Sequence, residues 1–197
     1  MKILAIDTST KMGSIALTDG ETLVRELQLN IEITHAEKLL PAIQKLLEEA
    51  QWNFSMIEGL AYAQGPGSFT GLRIGLATMK GFAQVLNLPL VGVSSLMALA
   101  YNGSESEEPV VAVLEAGRGE VYAFAATFKD RKIDKIILKE QAIKNDLLPK
   151  TLGNYQRQIH ARWVGILGYR KLKKGEGRDW RLLTPNYLRK SDAEIKK

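Results

Sequence analysis

Short apolar runs separated by polar turns open the chain. Lys2–Asp7 reads as a buried strand ending on a carboxylate. In Ser14–Thr18, Ile15 and Leu17 alternate with smaller residues, the period-two pattern of a second strand. Asp19-Gly20 is a hairpin signal, and Glu21–Leu29 is a third strand with Leu23, Leu27 and Leu29 on one face. The period then changes. Thr34 and Glu37 fit a capping box, and Leu39, Ile43, Leu46, Leu47 and Ala50 follow at helical spacing, with Pro41 expected to kink that helix. Further along, the pattern predicts strands at 57–63, 89–93, 110–115, 120–128 and 135–139. It predicts helices at 72–86 and 96–101, the last capped by Ser94 or Ser95. The polar, turn-rich stretch 102–109 is the best linker, and the strand–turn–strand opening recurs after it.

Composition narrows the picture. The 197 residues suffice for one large domain or two small ones. There is no cysteine, so disulfides, zinc–thiolate sites and cysteine nucleophiles are excluded. The start of the chain lacks the apolar length of a signal peptide and no apolar run could span a bilayer, so a cytoplasmic location and no membrane partner are expected. The net charge of +5 is unevenly spread. Residues 1–149 carry 14 basic and 18 acidic side chains, whereas 150–197 carry 13 basic and 4 acidic. Arg170, Lys171, Lys173 and Lys174, near Tyr169 and Trp180, are candidate nucleic-acid contacts; the alternatives are a solvated basic face or a surface meeting an acidic partner.

Two segments could carry chemistry. Asp7-Thr8-Ser9-Thr10 sits where a strand becomes a turn and could hold a hydrated metal or phosphate oxygens; the same residue types also favour plain turns. Gly65-Pro66-Gly67-Ser68-Phe69-Thr70-Gly71 lies between a strand and a helix, where glycines permit close approach to an anion. It lacks the Lys-Ser/Thr of a Walker loop. The competing reading is close packing through the Gly71/Gly75 strip. The two histidines, His35 and His160, form no ligand motif, so no metal site is expected.

Ile3–Thr10, Thr34-His35-Ala36-Glu37, Gly65–Gly75, Val91–Leu96, Gly119-Glu120-Val121-Tyr122 and Pro185-Asn186-Tyr187-Leu188-Arg189 stand in order along the chain. Together they resemble the bacterial TsaB (YeaZ) family. The resemblance implies an α/β fold of the actin-like ATPase (sugar kinase, Hsp70, actin) type, built of two ribonuclease-H-like βββαβα lobes. The expected division is 1–103 and 104–197, the second lobe being smaller and carrying the basic tail, with packing of the extreme C-terminus back on the first lobe as a further expectation.

The implied role is that of a noncatalytic subunit in tRNA threonylcarbamoyladenosine (t6A) modification next to the anticodon. Its partners would be the catalytic paralogue TsaD, a TsaE-type ATPase, tRNA through the complex, and a second copy of itself when TsaD is absent. The paralogue carries two metal-binding histidines in a Val-Asn-His-x-x-x-His stretch; the matching segment here starts at Val93 and places Ser95 and Leu99 at those positions. No cofactor is required, with ATP or ADP held weakly or only at a partner interface. Asp7–Thr10 with Gly65, Gly67, Ser68, Thr70 and Gly71 would then be a degenerate nucleotide site. Departures at Ala36 and at Glu115-Ala116-Gly117-Arg118 count against nucleotide binding. Family pairing through first-lobe helices points to Leu39, Ile43, Leu46, Leu47, Gly71, Arg73, Ile74, Gly75 and Thr78 as interface candidates; the alternative is packing of these helices on their own sheet, which takes one face of each. On that basis Ile43→Glu or Leu46→Glu is expected to abolish the complex and leave a folded chain. The alternative reading is an active ATPase or small-molecule kinase using Asp7 and the 65–71 loop.

Overall fold

In a computed structural model of the chain, residues 1–30, 36–148, 153–177 and 179–189 are described. The capping pair's Thr34, and His35, fall outside them. Strands β1 (Lys2–Asp7), β2 (Met12–Asp19) and β3 (Thr22–Asn30) form an antiparallel meander. After α1 (Ala36–Glu49), β4 (Gly59–Gly65) pairs parallel to β1. After α2 (Phe69–Leu86), β5 (Leu90–Ser94) pairs parallel to β4. The order is β3-β2-β1-β4-β5. Short helix α3 (Ser95–Ala100) leads to the second sheet: β6 (Val110–Gly117), β7 (Glu120–Lys129), β8 (Lys132–Lys144) and β9 (Asn154–Gln156), in the order β8-β7-β6-β9. β9 is parallel to β6, so the second sheet repeats the β3-β2-β1-β4 arrangement of the first. This duplicated meander with a parallel fourth strand is the ribonuclease-H-like plan of the actin-like ATPase fold. Among the described residues the second sheet has no counterpart of α1; a single helical turn at Asn145–Leu147 follows β8.

Side-chain alternation along β1 explains the layering. Leu4 and Ile6 face α1 and α2, burying Ile15, Leu17, Leu60 and Tyr62 with Leu39, Ile43, Leu46, Leu47, Leu76 and Met79. Ile3 and Ala5 face the other way, onto helix α4 (Ala161–Lys173). Small residues let α4 lie close: a Cβ at Gly165 would meet the Thr18 side chain, and one at Gly168 would overlap Ala61. Their core continues through α3 into Val110, Ala112, Leu114, Tyr122, Phe124 and Ala126 of the second sheet. The two sheets therefore share one apolar core, with α3 and α4 between them.

Several expectations change. The 103/104 division assigns Ala161–Lys173 to the second lobe, but α4 packs across β1, β2, β4 and β5 of the first sheet. The 102–109 stretch is no free linker, because Gly103 and Ser104 are buried. Leu23 leaves the face it was expected to share with Leu27, because the β2–β3 register slips at Val24 and Leu23 is exposed. Above all, Leu39, Ile43, Leu46 and Leu47 are the inner face of α1, already buried within this chain. Burying each contributes about 1.5–3 kcal/mol to the fold itself. Gly71 and Gly75 likewise face the β1 turn: a Cβ on either would overlap Thr8. Of the interface candidates, Arg73 is exposed and Ile74 and Thr78 are half-buried.

Candidate functional site: the β1 turn, the glycine loop and the C-terminal strap

β1 ends at Asp7, fully buried at the bottom of the turn. Its Oδ1 accepts the Ser9 N–H at 2.8 Å, while Oδ2 has no partner. Burial pushes the Asp7 carboxyl up to about 6, and its interaction with Ser9 opposes the shift. The glycine loop closes over this turn. Thr8 donates its hydroxyl to the Gly71 carbonyl at 2.7 Å, and Ser68 donates its N–H to the Ser9 carbonyl at 2.7 Å. Ser68 caps α2, its hydroxyl accepting the Gly71 N–H at 3.3 Å. A Cβ at Gly67 would overlap the Ser9 carbonyl, and Gly67 and Gly65 both adopt positive φ. Of the two readings of the loop, close packing is realised, against the β1 turn and not a second helix.

Two donors that a phosphate could use, at Ser68 and Gly71, are spent on protein oxygens. Thr70 is exposed, and the Thr10 hydroxyl donates to the Met12 carbonyl at 2.7 Å. Gly71→Ala is expected to cost about 1–3 kcal/mol or more, because its Cβ lands on a backbone carbonyl that cannot rotate away. Thermal melts of the two proteins check this, and an unchanged melting temperature would contradict the packing role.

The C-terminal segment Thr184–Arg189 straps this region to the second sheet. Asn186 donates its N–H to the Gln64 carbonyl at 2.7 Å, and Gln64 Nε2 donates to the Thr184 carbonyl at 3.1 Å. Tyr187 stacks on Phe69 with ring centroids 4.4 Å apart, and its hydroxyl accepts from Arg73 Nε at 3.0 Å. Arg189 then reaches the β6–β7 turn, donating to the Ala116 carbonyl at 2.9 Å and lying 3.4 Å from the Glu120 carboxylate. A second bridge joins the two sheets. Ser94, the α3 cap, donates its hydroxyl to Glu140 of β8 while accepting the Met97 N–H. Burial pushes the Glu140 carboxyl up. The Pro185–Arg189 motif was visible in sequence, but the residues that it meets were not. Glu140 carried no local signal at all.

The basic cluster divides in two. Arg170 holds Glu21 with two bonds of 3.0 Å and donates to the Tyr101 hydroxyl at 3.2 Å, and the Glu21 carboxyl is lowered by this pairing. Lys171 donates to the Gly92 carbonyl at 2.8 Å and pairs with Glu176 at 3.3 Å. Arg170 and Lys171 are therefore engaged in internal contacts. Lys173 and Lys174 are exposed, and neither enters an ion pair among the described residues. His160 sits at the head of α4 beside Glu26, 3.2 Å away. Among the described residues no three His, Asp or Glu side chains are grouped to hold a metal ion, and no helix is long and apolar enough to cross a membrane.

Comparison with known proteins places this arrangement. The family model for TsaD, tRNA N6-adenosine threonylcarbamoyltransferase, matches residues 30–148. The tRNA threonylcarbamoyladenosine biosynthesis protein TsaB of Escherichia coli is 34% identical over 84% of this chain and 71% of its own length. The chain belongs to the TsaB (YeaZ) family. TsaB of Bacillus subtilis is 28% identical over 100% of this chain and 97% of its own length. YeaZ from Pseudomonas aeruginosa, a solved structure, superposes with a TM-score of 0.79 at 26% identity, covering 95% of this chain and 99% of that one. The family takes part in threonylcarbamoyladenosine biosynthesis, and the fold above is its actin-like fold.

Proposed function

We propose that this TsaB-family chain is a noncatalytic subunit of the machinery that threonylcarbamoylates the adenosine next to the tRNA anticodon. It acts in the cytoplasm with a TsaD-type catalytic paralogue and a TsaE-type ATPase. The observation that carries the reading lies in α3. Ser95 and Leu99, which stand where the paralogue has metal-binding histidines, are fully buried. The Ser95 hydroxyl accepts the Gly65 N–H at 3.2 Å, and Leu99 is part of the shared core. Those positions do structural work here. The ATPase reading is weaker, because the glycine loop spends donors on the β1 turn and one core joins the two sheets.

The outer face of α2 supports pairing. Ala77, Gly81 and Val85 recur at i, i+4 and i+8 and are all exposed, and a Cβ at Gly81 would touch nothing within 4 Å. Exposed Leu40 on α1 adds to the apolar surface. A helix from TsaD, or from a second copy when TsaD is absent, can approach this small-residue strip closely. The test is co-purification with the TsaD-type partner, followed by threonylcarbamoyl transfer to tRNA with and without this chain. Transfer is expected to depend on the chain; full transfer in its absence would overturn the proposal.

A further inference from the structure

The outer strip of α2 extends one turn back from Ala77, to Arg73 at i−4, and Arg73 is exposed. There the strip meets the C-terminal strap. Tyr187 lies against two residues one turn apart on α2. Its ring stacks on Phe69 at 4.4 Å, the Arg73 guanidinium lies over it at 5.9 Å, and Arg73 Nε donates to its hydroxyl at 3.0 Å. Two residues further along the strap, Arg189 donates to the Ala116 carbonyl at 2.9 Å and lies 3.4 Å from the Glu120 carboxylate, with its side chain only 15% exposed. Leu188, between them, packs on the core that the two sheets share. The β6–β7 turn that receives Arg189 holds three successive residues, Gly117, Arg118 and Gly119, at positive φ, which is uncommon for a residue with a side chain such as Arg118. A Cβ at Gly117 or Gly119 would meet nothing within 4 Å, so the turn is open on that side. Its ties to the rest of the fold include the Asn145 N–H, donated to the Gly119 carbonyl at 2.9 Å, and Arg189.

A short line of contacts thus joins an exposed helix face beside the first sheet to a turn of the second sheet. We propose that the strap couples the two: whatever fixes Arg73 against Tyr187 also fixes Arg189 on the β6–β7 turn, and freeing one end loosens the other. Coupling between separated sites is carried by contiguous packed and hydrogen-bonded groups. The strap supplies them: a stacked ring, a guanidinium–hydroxyl bond, and two residues on a guanidinium held by a carbonyl and a carboxylate. A partner helix on the α2 strip would cover Arg73 and Tyr187, itself 36% exposed, and hold them together. Pairing would then be registered in the second sheet, and by reciprocity an intact Arg189 anchor would strengthen pairing. That consequence rests on the pairing reading above; the coupling within the chain does not.

Hydrogen exchange of the full chain, read by mass spectrometry over residues 115–120, tests the coupling with no partner present. Arg73→Ala is expected to speed exchange of that turn on the order of five-fold, the lower end of typical coupling between distant sites. Arg73 is exposed, so the variant keeps its fold. Tyr187→Phe, which keeps the stack and loses the hydroxyl, is expected to give part of the same effect. In Arg189→Ala the turn is expected to exchange fast already, and adding Arg73→Ala should change nothing more. Exchange over β1 is the control and should be the same in every variant. Unchanged exchange at 115–120 in Arg73→Ala would overturn the proposal. So would an equal acceleration with and without Arg189, or an acceleration spread equally over β1. With a TsaD-type partner bound, exchange of the turn is expected to slow, and Arg189→Ala to pair more weakly; pairing that leaves the turn unchanged would overturn the link to pairing. A chain that does not co-purify with the partner would instead overturn the pairing reading and leave the exchange result standing.

Discussion

Ile43→Glu is expected to leave little folded protein, and Val85→Glu is expected to fold normally and fail to pair. Ile43 is fully buried in the apolar cluster of the first sheet, so an ionised glutamate there costs about 4 kcal/mol or more. That is a large share of the roughly 5–15 kcal/mol that holds a domain together. Val85 lies on the opposite side of the same helical layer and is 82% exposed, so the same substitution costs the fold little. At a close helix–helix contact it would bury an unpaired charge and weaken association at least ten-fold, about 1.4 kcal/mol. Circular dichroism melts and co-purification separate the two outcomes. A folded Ile43→Glu protein would contradict the burial, and full pairing by folded Val85→Glu would place the interface elsewhere.

Asp7→Asn is expected to stabilise the chain, and only above acid pH. In the unfolded chain the Asp7 carboxyl ionises near its ordinary 3.8; in the fold, burial holds it at about 6. Between roughly pH 4 and 6 the folded form keeps a proton that the unfolded form has lost, so stability falls as pH rises through that window. Above it the deficit is constant, on the order of 2–3 kcal/mol. Asparagine keeps the acceptor for the Ser9 N–H and carries no charge. Its advantage should be near zero at about pH 4 and reach a plateau above pH 6–7. Urea denaturation of both proteins across that range checks this, and a difference independent of pH would remove the ionisation argument. The stabilised variant also offers a clean probe of function, because any loss of tRNA modification in it is not a loss of folding.

Much of the first sheet could be read from the chain. Period-two alternation in β1 and β2, the Asp19-Gly20 turn and the helical spacing of α1 are local signals, each written within a few residues. The glycine loop was legible as a place where something approaches closely. What approaches it was not: Thr8 and Ser9 lie some sixty residues away in sequence. Helix α4 escaped for a different reason. Gly165 and Gly168 lower helix propensity and blur its apolar face, yet they are the residues that let it press onto β1 and β4.

By itself, then, the sequence determined the meander–helix–strand plan, the absence of thiol chemistry, the Ser95 and Leu99 replacements and the acidic-body, basic-end charge pattern. Tertiary structure decided which way the helices face. A hydrophobic stripe on α1 is the same in sequence whether a sheet or a partner covers it, and here the sheet takes it, leaving the plainer Ala77–Gly81–Val85 strip of α2 outside. It also decided which cations are spent, since whether a lysine or arginine meets a carboxylate depends on elements far apart in the chain. Arg170 and Lys171 are consumed in holding the fold, Lys173 lies over the Tyr169 ring, and Arg181 over Trp180.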